Sequence, residues 1–513
     1  MKNYRDQGTG IRDRKTGIRE QGSGIAGHIR AGVKGFVLTA ACVLMAAAAV
    51  AQEKPWEKIP TPQLHAFKPH QPKRIELKNG IVLFLQEDHE LPFVAGSVLI
   101  PGGSRDEQAA KASMIDLYGQ TWRTSGSEKL SGDAMDDVLE AKAAKIETGG
   151  DLDSTALSWE SLKGDADAVY GMAMDLLFHP KFDGQKLELA KQQEATGIVR
   201  RNDDSGEIAS RESVKLVYGA DSPYTKQPEL ATVGAITLAD LNAWHDRSLK
   251  GKLIVAVSGD FDPTAMEAKL RATFEPLPAV KPLPAHREVF HDPAQAVYFI
   301  NKDDVNQSNI QIVGLGTDRH NADVPALAVM NTILGGGFSS RLFQKVRTEL
   351  GLAYAVGGGY GYSWDHQGTF HVMVMTKSAS TVDATNEALK QISGVTTQPF
   401  TEAELKQAKE QILNAFLFQY DTREKVLAQS VKLEFYGYPA DYLETYKAAV
   451  EKVTVADVTA VAKKYIHPDK LAVLVVGNKS EITPGLEDLK LGAVHSVDIT
   501  IPQPAPMAPG GKQ

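Results

Sequence analysis

The chain has a single cysteine, Cys42, in 513 residues. Disulfides take no part in holding it together, so stability must come from cores large enough to need no staple. It also lacks basic charge. The formal net charge is −8, and the first 51 residues, with 8 Lys+Arg against 3 Asp+Glu, mask a body at 48 − 61 = −13. An acidic body argues against nucleic acid as a partner, because phosphate binding needs a basic face. Metal-type histidine spacing is missing too. None of the 13 histidines stands three or four residues from another. The closest pairs, His65/His70, His286/His291 and His366/His371, are five apart, which places the side chains on poorly matched helix faces. His371 reads as a surface residue on a strand. The apolar run at 36–51 is shorter than the roughly 20 residues that span a bilayer.

That run belongs to a segment that reads as an export signal. Arg5, Arg12, Arg14, Lys15, Arg19, Arg30 and Lys34 precede it, and it closes on Ala49-Val50-Ala51, an A-x-A cleavage pattern. Glu53, Lys54 and Pro55 follow at once, which favours cleavage over anchoring. Thr39 stands where a lipoprotein signal needs a large aliphatic residue. The expectation is a signal peptide at 1–51 and a periplasmic mature protein, in contact with membrane only through that signal. A Pro/Lys/Gln-rich linker at 52–72 and a disordered tail at 491–513 complete the ends.

Between these ends the chain repeats itself once. Residues 236–261 (ITLADLNAWHDRSLKGKLIVAVSGDF) match residues 453–478 (VTVADVTAVAKKYIHPDKLAVLVVGN) in pattern. Each reads as a Thr cap, a helix, a short basic turn and an apolar strand ending in Gly259 or Gly477. Thr237 with Asp240, and Thr454 with Asp457, approach a capping box. Two apolar strands, at 81–85 and 93–100, lead to Gly102-Gly103-Ser104-Arg105; strands at 297–300 and 309–315 lead likewise to Gly316-Thr317-Asp318-Arg319. Mixed hairpins and helices predict an α+β fold. The halves are expected at 73–275 and 294–490, joined by a proline-rich hinge at 276–293.

The most informative stretch is 334–362, LGGGFSSRLFQKVRTELGLAYAVGGGYGY. No Lys-Ser/Thr pair follows the glycines, which excludes a phosphate loop. Ser339 can cap a helix whose apolar face is Leu342, Phe343, Val346 and Leu350. Gly351 is a C-terminal stop, with Tyr354 and Val356 on one face of the strand beyond. Arg347 lies in the last helical turn. Read blandly, it is a cation at a negative helix end and Tyr354 a strand aromatic. Read functionally, they are two donors for a carbonyl oxygen gaining charge.

These residues resemble the C-terminal half of the insulinase/pitrilysin/mitochondrial processing peptidase family. The resemblance extends over most of 74–477 and includes SPYTKQPELATVGAITLADLNAWH at 222–245. It implies a clamshell of two homologous ferredoxin-like, processing-peptidase-type α/β roll domains, and it makes Arg347 and Tyr354 the substrate-carbonyl pair. The family's inverted zinc motif, H-x-x-E-H, should follow Gly103-Ser104-Arg105-Asp106-Glu107. Here Ser113 and Leu117 stand where the histidines belong, Asp116 replaces the base, and Glu194 lies near the place of the third ligand. A catalytic zinc needs about three protein ligands, so no metal is expected in this chain. The resemblance also places a substrate-pairing edge strand at 147–159, with Gly149, Gly150 and Leu152 as binding positions, and Gly357 and Gly358 permit close backbone approach. The expectation is the zinc-free subunit of a heterodimeric exported metalloendopeptidase. A homologous partner would carry the zinc, and unfolded peptides would be the substrates. The alternatives are a structural pseudo-peptidase or a peptide-binding protein.

Overall fold

The computed structural model describes residues 69–281 and 288–503. The expected signal peptide, nearly all of the expected linker, the middle of the expected hinge and the last ten residues lie outside the described residues. Among the described residues no helix is long and apolar enough to cross a membrane.

Local signals set the framework. Asp240 accepts from the Thr237 amide at 2.8 Å while the Thr237 hydroxyl accepts from the Asp240 amide, so helix Leu238–Ser248 starts on a complete capping box. Thr454 and Asp457 do the same for helix Val455–Tyr465. Each helix leads into a buried central strand, Ile254–Gly259 (β6) or Ala472–Gly477 (β13).

Two six-stranded mixed sheets result. In chain order the first contains Lys73–Glu76 (β1), Val82–Glu87 (β2), Phe93–Pro101 (β3), Lys145–Gly150 (β4), Ser154–Leu162 (β5) and β6, arranged β1-β2-β6-β3-β5-β4. The second contains Val297–Asn301 (β7), Gln307–Leu315 (β8), Ala353–Tyr360 (β10), Thr369–Lys377 (β12), β13 and Val494–Ser496 (β14), arranged β10-β12-β8-β13-β7-β14. Thr317–Asp318 (β9) and Tyr362–Ser363 (β11) form a small parallel ribbon. The sheets superimpose in topology, with β2, β3, β4, β5 and β6 answering to β7, β8, β10, β12 and β13. Only the outermost strand differs, since β1 precedes its half and β14 arrives from the C-terminus. The expected disordered tail at 491–513 is therefore corrected over its first part: β14 extends the second sheet, the Asn202 amide donates to the Ile499 carbonyl at 2.7 Å, and Ile501 packs on the first core.

Each sheet buries one face in its own half. Val98, Ile115, Tyr118, Trp122 and Leu157 anchor the first core, and Ile310, Leu327, Met330, Val346 and Phe370 the second. The opposite faces exchange helices. Helix Ser205–Tyr218 of the first half packs Ile208 and Ala209 on Leu474 and Val476 of β13. Helix Arg423–Tyr436 of the second half packs Leu427 on Val82, Phe84 and Ile254. Burying a leucine side chain contributes about 1.5–3 kcal/mol, so these contacts bind the halves to each other as well as to themselves.

Candidate functional site

Arg347 and Tyr354 are brought together by two irregularities that the sequence pattern did not reveal. The helix carrying Arg347 is a π-helix over Phe343–Glu349, capped by Ser340 rather than Ser339. Its wider turns keep Leu342 and Val346 buried but turn Leu350 outward, so the expected four-residue apolar face is broken. Gly351 ends it at φ +62°, as expected. In β10, Ala353 pairs with Thr376 and Ala355 with Met375, which leaves Tyr354 as the extra residue of a β-bulge. The bulge reverses the alternation. Tyr354 is 68% exposed while Val356 is buried, and the two do not share a face.

The Arg347 guanidinium carbon lies 4.8 Å from the Phe343 ring centre and 5.7 Å from that of Tyr354. Phe338, itself exposed, meets Phe343 edge-on at 4.9 Å. No carboxylate pairs with Arg347 among the described residues. The arrangement is a surface ladder that ends in two free donors, a guanidinium and a phenol. Donors of this kind stabilise an oxyanion well only where water is excluded, and here both face solvent.

The degenerate zinc positions lie at the start of helix Met114–Ser125. Ser113 is buried at φ +82°, and Leu117 is in the first core. Asp116 reaches solvent beside its helix, yet desolvation, and then the charge of Glu194 on helix Gly184–Arg200, raise its pKa. This donor set does not fit zinc: a hydroxyl and an aliphatic chain replace the two imidazoles, an aspartate stands in place of the base, and Glu194 alone remains at a ligand position. Among the described residues no group of three His, Cys, Asp or Glu converges as a metal site. His371 is not the surface residue expected; it is half-buried on β12 against the Gln311 side chain.

The stretch at 147–159 is not one edge strand. It divides into β4, which is the edge, and β5, which is interior. Gly149 and Gly150 lie on the edge. Leu152 lies in the turn between the strands, where its carbonyl accepts from the Arg105 amide at 3.1 Å. Gly357 and Gly358 lie on β10, the edge of the second sheet, and the backbone closest to them is the chain's own: the Gly358 amide donates to the Gly335 carbonyl at 3.2 Å.

Sequence reasoning missed what the Gly103–Glu107 element does. Glu107 is buried, and its carboxylate accepts from the Ile115 amide at 2.6 Å and the Ser113 amide at 3.2 Å, capping the helix where Ser113 cannot. Burial nevertheless pushes its pKa up to about 7. Arg105 reaches across the halves to Asp365 at 2.5 Å and lies 3.0 Å from Asp153. Burial alone would raise the Asp365 pKa, but hydrogen bonds from His366 and Arg105 hold it at about 2. The Tyr436 hydroxyl donates to Asp153 at 2.5 Å from the other half. Lys226, within the family-like stretch at 222–245, donates to the carbonyls of Ser104, Arg105 and Glu107. The pairing of Arg105 with acids 48 and 260 residues away had no local signal.

Residues 235–412 match the model of the family described as "Peptidase M16 inactive domain". The chain is 22% identical over 416 residues to the "Non-peptidase homolog YmxG" of Helicobacter pylori, covering 78% of this chain and 93% of that one. In structure it is similar to the peptidase M16 inactive domain from Pseudomonas fluorescens, with TM-score 0.70 and 24% identity over 79% of this chain and 98% of that one. It is also similar to the periplasmic protease PqqL from Escherichia coli, with TM-score 0.66 and 14% identity over 82% of this chain and 47% of that one.

Proposed function

We propose that this chain, which is similar to inactive-type members of the M16 peptidase family and shares their clamshell-type fold, is the zinc-free subunit of a two-chain exported peptidase. The observation that carries this reading is the contrast between two sites. The zinc positions are filled by Ser113 and a buried Leu117, while Arg347 and Tyr354 are held together, open and, among the described residues, unpaired with any carboxylate. A homologous partner with an intact motif would bring the zinc and generate the nucleophile. The residues of this chain would hold the scissile carbonyl oxygen as it gains charge, with Arg347 supplying a permanent cation and Tyr354 a neutral donor. Each such donor contributes about 3–4 kcal/mol, or 10²–10³ in turnover, in well-packed sites. Because the chain matches 47% of PqqL, a protein of this fold has room for a second unit of similar size, which supports assembly from two. The apolar run and A-x-A pattern at 36–51 support export to the periplasm.

The test is reconstitution with an H-x-x-E-H-bearing M16 peptidase of the same organism, read by hydrolysis of a quenched fluorescent peptide. The isolated chain should neither cleave the peptide nor retain stoichiometric zinc. Arg347→Ala and Tyr354→Phe should each lower kcat of the pair while it still elutes as one complex. Unchanged turnover in both variants would return the two residues to ordinary surface roles. Chelator-sensitive cleavage by the chain alone would refute the division of labour.

A further inference from the structure

Among the described residues, helix Arg423–Tyr436 covers only part of the outer face of the first sheet. It packs on β2 and β6, whereas its counterpart Ser205–Tyr218 packs on β8 and β13. Since β6 answers to β13 and β3 to β8, the helix over the first sheet is displaced by one strand, away from β3. The uncovered face of β3, β5 and β4 becomes the floor of a groove of about 640 Å³, with the helix as one wall. A second groove of about 590 Å³ continues it toward Thr422, and Ala95, Glu160, Ser258 and Glu424 line both.

The floor is built from small residues, and the second half of the chain supplies an internal control. Ser97 pairs with Ala256 and Ser158, whereas at the equivalent positions Gln311 pairs with Leu474 and Met373. Ala95 pairs with Ser258, whereas Asn309 pairs with Val476. Ala156 stands where the second half has His371. At all six positions the first half has Ala or Ser and the second a larger side chain, so the groove exists because these side chains are short. One of them is chemically unfinished. Ser258 is only 6% exposed, lines both grooves, and its hydroxyl forms no hydrogen bond among the described residues. That hydroxyl opens onto the groove, where a ligand can exchange hydrogen bonds with it in place of water.

We propose that this groove is a binding site for an extended peptide segment with small or polar side chains toward the sheet and aliphatic ones toward the helix. The opposing surfaces select that chemistry. Leu427, Val431 and Phe435 make an apolar wall, while Ser97, Ser158 and Ser258 make a floor of hydroxyls that can exchange hydrogen bonds with an occupant. An acyl chain would satisfy the wall and strand the hydroxyls. A small polar solute would do the reverse. An extended peptide alternates its side chains with period two and serves both. The lining carries Glu147, Asp151, Glu160 and Glu424 against Lys145 and Lys432, a net acidic balance that disfavours an anionic occupant. The 14-residue helix is about 21 Å long, enough for about six extended residues. The site needs no second chain and is separate from Arg347 and Tyr354.

The experiment titrates the purified full chain, without any partner, into a dye-labelled uncharged hexapeptide of alternating Ala and Leu and follows fluorescence anisotropy. Saturable binding is expected. Ser158→Met, which installs the residue of the second half at an exposed position, should weaken Kd about tenfold or more. Ser97→Gln should act in the same direction, with circular dichroism and Tm confirming that both variants fold. Absence of saturable binding, or a Kd unmoved by both substitutions, would overturn the proposal. So would tighter binding of palmitate than of the peptide, which would make the groove an acyl site. The readout is binding by one chain, so its failure leaves the two-chain peptidase reading intact, and the converse also holds.

Discussion

Replacing Glu107 with Gln should change how stability depends on pH, with a size and sign that the structure dictates. Glu107 is buried beneath the start of helix Met114–Ser125, and its two amide hydrogen bonds do not compensate for removal from water, so its pKa rises from 4.5 to about 7. The folded state therefore holds a proton that the unfolded chain has released. Its contribution to stability is complete below about 4.5 and is lost as pH rises through 7. That interval, at about 1.4 kcal/mol per pH unit, amounts to about 3 kcal/mol. Glu107→Gln keeps an acceptor oxygen of the same shape and removes the titration. Urea denaturation of both proteins at pH 4.5 and pH 8 gives the relevant difference, because every other titrating group is common to the two. The variant should gain about 3 kcal/mol relative to the parent between those pH values. A difference that stays constant would show that the Glu107 carboxyl titrates alike in folded and unfolded chains, and the account of the helix cap would be wrong.

Three further outcomes test other parts of the structure. His245 is buried, donating to the Leu177 carbonyl and accepting from the Tyr118 hydroxyl, and burial lowers its pKa to about 4; its contribution is present above about 6.5 and lost as pH falls toward 4, so the parent should lose about 3 kcal/mol there that His245→Gln does not, and parallel denaturation profiles would refute this. Arg105→Met strands Asp365 and Asp153 between the halves and should cost about 3 kcal/mol in urea denaturation; a loss below about 1 kcal/mol would mean that the seam is well solvated. Gly119→Ala would put a Cβ 2.7 Å from the Gly149 Cα, so the helix must move off β4 and about 1–3 kcal/mol should be lost, visible as a lowered Tm; an unchanged Tm would show that this approach is slack.

Much of the fold was legible because its signals are short-range. The capping boxes at Thr237 and Thr454, the apolar central strands and the glycine stop at Gly351 each depend on a few neighbouring residues, and each formed where the pattern placed it. The repeat was legible for the same reason, since the same local chemistry occurs twice. Departures arose where one residue of phase mattered. The π-helix and the β-bulge each add a residue to a repeating backbone pattern, and such insertions leave no mark in composition. They decided that Leu350 and Tyr354 face outward.

By itself the sequence determined that this is a doubled α+β chain with no disulfides, with the imidazole ligands gone from its zinc-motif positions and with an arginine and a tyrosine flanking a helix stop. These follow from residue identity and from spacing within one or two turns. Only the tertiary structure decided that the halves exchange helices, that Arg105 meets Asp365 across 260 positions, and that helix Arg423–Tyr436 sits one strand aside and opens a groove over Ser97 and Ser158. Those outcomes depend on how distant surfaces share a limited volume, which no local window of the chain contains.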